Sequence, residues 1–206
     1  MSPADAGEIA PLMNTTEPKC IVPPGVLARL GFMLVALAVS WGPVSGATPP
    51  VGGVAPDFTL QTLDDKPVAL QSLTAKGPVV LIVLRGWPEY QCPVCTRQVQ
   101  EYIAQAGAFA QRGARVLMVY PGPSDRLKAH ASEFLRDQQW PAEFLFVTDP
   151  DYAFTLKYGL RWEAPKETAY PSTFVLERGG KVRFAQVSKS HGGRVPAATA
   201  LAELAK

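Results

Sequence analysis

The sequence predicts an α/β domain whose mixed central sheet is flanked by helices on both faces. Apolar, β-branched runs at 79–84 and 116–120 have the composition of buried strands, and helix-compatible segments follow them. Gly179-Gly180 lies between two further strand-like runs and favours a tight antiparallel hairpin. Right-handed β-α-β crossovers that end in such a hairpin place parallel and antiparallel strands in one sheet.

An N-terminal β-hairpin precedes this core as an extension. Residues 58–63 alternate between apolar and polar side chains, as an exposed strand does, and residues 68–70 form a second short strand. Asp64-Asp65 between them has the chemistry of a turn.

Two helices are predicted around the strand 116–120. The first runs from Gln98 to Gln111, because its apolar residues recur at helical spacing, and Gly113 can end it. Ser124 is expected to cap the second, which extends to about residue 138. The remaining predicted elements are a strand at 144–147, a helix at 152–158 stopped by Gly159, strands at 170–176 and 182–187, and a last helix at 196–205.

The chain divides into three predicted regions: a leader at 1–47, a Pro- and Gly-containing linker at 48–53, and the folded domain at 54–206. The leader begins as a disordered segment. Arg29 and the apolar run 30–41 then have the pattern of a secretory signal peptide or, if uncleaved, of a membrane anchor. We therefore expect an exported protein, periplasmic or extracytoplasmic, with a possible membrane tether. The alternative is a disordered tail with an incidental apolar patch.

Composition and motifs exclude several classes of function. The formal net charge is +2 over 206 residues, and no lysine-rich run occurs, so nucleic acid is not a predicted partner. No nucleotide, haem or flavin motif is present, so no cofactor is predicted. Of three cysteines, Cys20 lies in the leader and only Cys92 and Cys95 belong to the domain, which excludes a scaffold stapled by disulfides.

Cys92-Pro93-Val94-Cys95 stands where the buried strand 79–84 gives way to a helix. A thiol at a helix N-terminus meets unpaired N–H groups and the positive end of the helix dipole, which favour the thiolate. Such thiols have pKa values of about 3.5–7.5 instead of about 8.5. Pro93 suits the first turn because it has no N–H to satisfy. The setting predicts a redox-active dithiol in a thioredoxin-like architecture, with a structural disulfide or an inert pair as the alternative.

Residues 51–206 resemble the redoxin group, the alkyl hydroperoxide reductase/thiol-specific antioxidant branch of the thioredoxin fold. The segments that carry the resemblance are Ala55-Pro56-Asp57-Phe58-Thr59-Leu60, the C-x-x-C, Tyr170-Pro171-Ser172-Thr173-Phe174-Val175 and Gly179-Gly180-Lys181-Val182. The resemblance implies an antioxidant thiol oxidoreductase that cycles Cys92 and Cys95 between dithiol and disulfide. Its electrons would come from a thiol protein and pass to a peroxide or a protein disulfide.

The C-x-x-C matches motifs of two families at once. Peroxiredoxins carry P-x-x-x-T/S-x-x-C, which aligns Pro88 with the proline, Cys92 with the Thr or Ser, and Cys95 with the cysteine that attacks peroxide. In thioredoxins the first cysteine attacks, which corresponds to Cys92. Pro171 occupies the place of a peroxiredoxin arginine and matches the cis-proline of thioredoxins, which would bring the Tyr170 backbone to the thiols, ready to pair with an extended peptide.

Other side chains are candidates for supporting roles. Arg85 or Arg97 could supply the charge of the missing arginine. His191 follows the last strand, in a loop that borders the active site of this fold, and could lower a thiol pKa or simply lie on the surface. Trp87 and Tyr90 are expected beside the thiols, with ordinary core packing as the alternative. His130 is expected on the solvated face of the second helix.

The alternative class of function is metal delivery, for which the same residues would bind the metal ion. Copper chaperones of this fold bind Cu(I) through two cysteines and a histidine, which here would be Cys92, Cys95 and His191. Their cysteines are spaced C-x-x-x-C, however, whereas this chain has C-x-x-C.

Overall fold

The structure is a computed structural model that describes residues 46–206. The predicted disordered segment and the apolar run 30–41 lie outside the described residues. Within 46–206, no helix is both long and apolar enough to cross a membrane. Gly52 and Gly53 of the predicted linker exchange backbone hydrogen bonds of 2.8 Å with Val182.

Residues 46–206 form seven strands and six helices. In chain order these are β1 (Thr59–Gln61), β2 (Pro67–Ala69), α1 (Leu70–Thr74), β3 (Val79–Val83), α2 (Pro93–Ala104), α3 (Ala106–Gln111), β4 (Arg115–Gly122), α4 (Leu127–Leu135), β5 (Phe144–Pro150), α5 (Ala153–Lys157), β6 (Ser172–Leu176), β7 (Val182–Val187) and α6 (Ala197–Leu204).

All seven strands belong to one mixed sheet, in the order β2-β1-β5-β4-β3-β6-β7. β3, β4 and β5 are parallel, with Val80 opposite Val116 and Met118 opposite Phe146. β6 and β7 pair antiparallel on one side, and the hairpin of β1 and β2 pairs antiparallel on the other. This confirms the predicted α/β, thioredoxin-like fold with its N-terminal hairpin extension.

β3 lies inside the sheet, between β4 and β6, and every one of its residues is fully buried. Val80 and Ile82 pack into the core on one face, together with Tyr102, Phe109 and both thiols. Val79, Leu81 and Val83 pack on the other face; the aromatic residues there are Phe58, Phe154, Tyr158 and Phe174. Burying each large apolar side chain contributes about 1.5–3 kcal/mol, so the end of β3 is a rigid support for the loop that follows it.

The structure differs from the sequence prediction in several local elements. Leu70 begins helix α1 instead of ending a strand, and the Asp57 carboxylate accepts the N–H of Gln71 at 2.8 Å in its first turn. The helix predicted from Gln98 begins five residues earlier, at Pro93. It is also interrupted at Gln105, whose φ of −104° and ψ of 11° are not helical.

Ser124 does not cap α4, so that prediction is wrong. The residue before α4 is Arg126, in the left-handed region at φ 56°, and no side chain caps the helix. Ser124 lies two residues before this N-cap position, too early in the chain to cap the helix, and its N–H donates to the Asp151 carboxylate at 2.9 Å. Gly113 and Gly159, at φ 61° and 62°, follow their helices as predicted.

Candidate active site

The dithiol lies where the loop after β3 enters α2. Cys92 is the N-cap residue with extended backbone angles, φ −80° and ψ 111°, and Pro93 is the first helical residue. Gly86 and Trp87 of this loop lie against Pro121, near the end of β4. The Trp87 N–H donates to the carbonyl of Pro121 at 3.0 Å. Gly86 has φ 71°, and a Cβ there would overlap the same carbonyl oxygen, so only glycine allows this close approach.

Both cysteines are free thiols and almost fully buried, Cys92 at 3% exposure and Cys95 at 1%. The pKa of Cys92 is lowered to about 5, first because the Cys95 thiol donates a hydrogen bond to it. Burial opposes this shift, whereas the N–H of Cys95, the charge of Arg194 and the N–H of Val94 add to it. The N–H groups of the first helical turn thus contribute to the lowered pKa of Cys92, but the Cys95 thiol contributes more.

Cys95 has the opposite electrostatic environment. Burial raises its pKa well above the usual value, and the hydrogen bond it gives to Cys92 raises it further. Its Sγ accepts the backbone N–H of Arg85 at 3.3 Å. The surroundings of Cys92 therefore favour its thiolate, and those of Cys95 favour its neutral thiol.

Arg194 supplies the cationic side chain at the thiols, and sequence reasoning missed it. Its Nη2 lies 3.4 Å from Sγ of Cys95 and 4.0 Å from Sγ of Cys92, while its Nη1 donates to Gln98 at 3.1 Å. None of the ion pairs within residues 46–206 involves Arg194, so a carboxylate does not neutralise its charge there. The only signal in the sequence was its position, three residues after His191 in the loop that follows the last strand.

Neither arginine that the sequence suggested brings its guanidinium to the thiols. Arg85 directs its side chain away, where its Nε bonds Glu167 at 2.7 Å and its Nη2 donates to the carbonyl of Lys166 at 2.8 Å. Burial opposes the charge of this guanidinium, but hydrogen bonds with Glu167 and Tyr90 raise the pKa of Arg85 above its usual value. Arg97 is exposed on α2.

His191 lies in the expected loop but contacts Glu167 instead of a thiol. Its Nε2 is 2.7 Å from Oε1 of Glu167, and its carbonyl accepts the Nε–H of Arg194 at 3.1 Å. Burial opposes ionisation of Glu167, yet hydrogen bonds from Arg85 and His191 keep its pKa below the usual value. In residues 46–206, no group of three or more His, Cys, Asp or Glu side chains could hold a metal ion, so the copper-binding alternative is not favoured.

Pro171 and Tyr170 follow the loop that contains Glu167 and lead into β6. The N–H of Tyr170 donates to Leu160 at 2.8 Å, and its carbonyl accepts the hydroxyl of Ser172 at 2.8 Å. Pro171 accepts the N–H of Ser188 at 2.8 Å. The N–H and the carbonyl of Tyr170, which the resemblance to thioredoxins predicted would pair with a peptide substrate, are therefore already hydrogen-bonded within the chain.

The aromatic residues before Cys92 pack the loop against neighbouring parts of the chain. The ring of Trp87 stacks on that of His130, with centroids 3.6 Å apart and planes 6° from parallel. His130 therefore packs against the loop, with its side chain only 17% exposed, and the expectation of a solvated face is wrong. Tyr90 is 42% exposed beside the guanidinium of Arg85.

Gln91 connects the loop before Cys92 to the sheet and to α4. Its Oε1 accepts the hydroxyl of Tyr120 at 2.9 Å, and its Nε2 donates to the carbonyl of His130 at 2.8 Å. The residue next to Cys92 is thus held by β4 and α4 together. Trp87 and Pro88 line a cavity of about 250 Å³, and Glu167 and Thr168 line it as well.

A free dithiol at the start of the helix that follows the buried strand β3 defines a thiol-based oxidoreductase with a thioredoxin-like fold. The chain belongs to the AhpC/TSA family, whose model matches residues 51–185. It is therefore a peroxiredoxin-like antioxidant enzyme, and the predicted class of function is confirmed.

Two relatives are similar to this chain over most of its length. A protein of Mycobacterium tuberculosis named as a peroxiredoxin is 27% identical over 149 residues, which cover 70% of this chain and 88% of that protein. The methylamine utilization protein MauD of Methylobacillus flagellatus is 24% identical over 159 residues, 77% of this chain and 68% of its own.

Solved structures show the same fold. The peroxidoxin BcpB of Mycobacterium tuberculosis superposes with a TM-score of 0.58 at 24% identity, covering 76% of this chain and 97% of that one. Reduced Prx3 of Vibrio vulnificus, solved in complex with H₂O₂, gives a TM-score of 0.60 at 23% identity, covering 75% and 98% of the two chains.

Proposed function

We propose that the protein reduces hydroperoxides, with Cys92 as the attacking thiolate and Cys95 as the resolving thiol. The observation that carries this proposal is the asymmetry of the pair: hydrogen bonds and the charge of Arg194 lower the pKa of Cys92 to about 5, whereas burial raises that of Cys95. The roles are the reverse of those implied by aligning Cys95 with the attacking cysteine of peroxiredoxins.

In the proposed reaction, the Cys92 thiolate attacks one oxygen of the peroxide, and the O–O bond breaks. Cys92 becomes a sulfenic acid that keeps the proton of the attacked oxygen, and the departing oxygen takes a proton from solvent and leaves as water or an alcohol. The Cys95 thiol then condenses with the sulfenic acid, which releases water and forms the Cys92–Cys95 disulfide. A thiol protein returns two electrons by disulfide exchange.

Two features of the site favour a small peroxide over an extended peptide. Arg194 is close enough to the sulfurs to stabilise negative charge as it moves to the leaving oxygen. The backbone groups of Tyr170 that would pair with a peptide are already hydrogen-bonded. Exchange with a protein disulfide through Cys92 uses the same thiolate and is the alternative outcome of the test.

Stopped-flow oxidation of the reduced protein by hydrogen peroxide tests this proposal, with Cys92→Ser and Cys95→Ser variants beside it. We expect rapid oxidation that Cys92→Ser abolishes. Cys95→Ser should keep the first step and accumulate a sulfenic acid that dimedone traps. Slow oxidation by peroxide, with fast exchange against a protein disulfide, would replace the peroxide proposal with the exchange reaction.

The proposed organisation of the whole chain remains a leader at 1–47, a linker at 48–53 and the redox domain at 54–206, with export to an extracytoplasmic compartment or tethering through 30–41. It is supported by Arg29 and the apolar run that follows it. Cell fractionation and N-terminal sequencing of the mature protein test it: a cytoplasmic protein that retains Met1 would refute export.

A further inference from the structure

Glu167 contacts neither sulfur, but it connects two chain segments that both contact the thiols. Its side chain is 11% exposed, and each of its carboxylate oxygens has a separate partner. Oε2 lies 2.7 Å from Nε of Arg85, and Oε1 lies 2.7 Å from Nε2 of His191. A nearly buried carboxylate with hydrogen-bond partners in two different loops fixes the distance between those loops.

The first segment reaches Cys95 through the backbone of Arg85. The side chain of Arg85 is held by Glu167, and its carbonyl accepts the hydroxyl of Thr168, the residue next to Glu167. Its N–H then donates to Sγ of Cys95 at 3.3 Å. Glu167 and Thr168 therefore fix Arg85 from both its side chain and its backbone.

The second segment reaches both sulfurs through Arg194. With its ring bound to Glu167, His191 places its carbonyl 3.1 Å from Nε of Arg194. Arg194 lies in a loop that contains Gly192 and Gly193, and Gly193 has φ 65°. This loop needs an anchor if its guanidinium is to stay on the thiols, because glycines give the backbone few intrinsic restraints.

We propose that Glu167 is a positioning residue, which holds the His191–Arg194 loop against the Arg85 loop and so keeps the Arg194 guanidinium on the two sulfurs. The proposal rests on the proposed function only in taking Cys92 as the reactive thiolate. Arg194, the only charged side chain among these that touches the thiols, acts directly, and Glu167 acts through it.

A direct electrostatic effect and a positioning effect predict opposite signs for Glu167→Gln. Removing a nearby negative charge, and leaving Arg85 without its counter-ion, would favour the thiolate and lower the pKa of Cys92. Releasing Arg194 would disfavour the thiolate and raise that pKa. The other charged or titratable groups that face the sulfurs are Tyr120 from β4 and the neighbouring thiol on α2, and the substitution touches neither.

The test is a double-mutant cycle on the reduced protein, with the ultraviolet absorbance of the Cys92 thiolate followed against pH. We expect Glu167→Gln to raise the pKa of Cys92 by about one unit, which lowers the thiolate fraction at pH 5 about fivefold. In an Arg194→Gln background the same change should no longer raise the pKa of Cys92, because only the direct electrostatic effect remains. Glu163→Gln, in the same loop but exposed and 3.8 Å from Arg161, is the matched control and should leave the pKa unchanged.

A lowered or unchanged pKa in Glu167→Gln, or an equal shift with and without Arg194, would overturn the proposal. If Glu167→Gln does not fold, His191→Ala takes its place in the cycle, because this side chain is 48% exposed and its removal breaks only the second connection. Its shift should likewise vanish in the Arg194→Gln background. The readout needs no substrate, so slow turnover of peroxide would refute the proposed function without deciding the role of Glu167.

Discussion

Nη2 of Arg194 lies 3.4 Å from Sγ of Cys95, close enough to stabilise a charge on either sulfur of the pair. The other arginine near the thiols, Arg85, is bound to Glu167 and offers only its backbone N–H. The positive charge beside the thiols therefore comes from the loop after β7 and not from the loop that carries them.

Replacement of Arg194 should raise the pKa of Cys92. Without the guanidinium, Arg194→Gln loses an attraction that favours the thiolate, and we expect a rise of about one to three units. Arg97→Gln is the matched control, since Arg97 is exposed on the same helix as the thiols. Titration of both reduced variants measures the difference; equal pKa values would show that Arg194 does not act on Cys92.

The dithiol should be a stronger oxidant than thioredoxin. A thiolate stabilised at a pKa of about 5 stabilises the reduced form relative to the disulfide. Thioredoxin has a thiol pKa of about 7 and a potential of about −270 mV, and the most oxidising dithiol proteins reach about −120 mV. We expect a value between these limits from equilibration with glutathione buffers, and a value below that of thioredoxin would contradict the described environment of Cys92.

Gln91 should contribute to stability through the two hydrogen bonds that tie the thiol loop to β4 and α4. Gln91→Leu leaves the buried hydroxyl of Tyr120 without its acceptor, at a cost of about 1–3 kcal/mol in the free energy of unfolding. Adding Tyr120→Phe removes the unsatisfied hydroxyl and should restore part of that loss. Urea denaturation of the single and double variants measures both effects; additive losses would be inconsistent with a shared hydrogen bond.

Gly86 should tolerate no side chain. Gly86→Ala combines a positive φ with a Cβ that overlaps the carbonyl of Pro121, and we expect a loss of about 2 kcal/mol or more. Gly107→Ala is the control, because a Cβ on this residue of α3 meets no atom within 4 Å. Within a helix that change should stabilise by about 0.5–1 kcal/mol. Thermal unfolding that ranks the two variants in the other order would disprove this account of the loop.

Elements defined by local patterns could be predicted from the sequence, whereas contacts between distant loops could not. The uniformly apolar run 79–84 predicted the buried strand β3, and Gly179-Gly180 predicted the hairpin of β6 and β7, since each pattern is local. Arg194 lies 99 residues from Cys95 along the chain, in a polar loop whose path no periodicity determines.

The direction in which a side chain points was the second feature that could not be predicted from the sequence. Arg85 stands at the end of the strand that precedes the thiols, so its proximity was predictable, but its side chain turns away because Glu167 offers a partly buried carboxylate. His130 has the helical position of a surface residue, yet α4 brings it against Trp87 from a separate loop. Such pairings depend on the packing of whole elements.

The central claim, that Cys92 is the reactive thiolate and Cys95 its protonated neighbour, can be tested by alkylation. The reduced protein is treated briefly with iodoacetamide at a series of pH values, and the labelled cysteine is identified by peptide mass spectrometry. We expect labelling at Cys92, half-maximal near pH 5 in accordance with its lowered pKa of about 5. Labelling at Cys95, or labelling of Cys92 that rises only near pH 8.5 as for an ordinary thiol, would contradict the account.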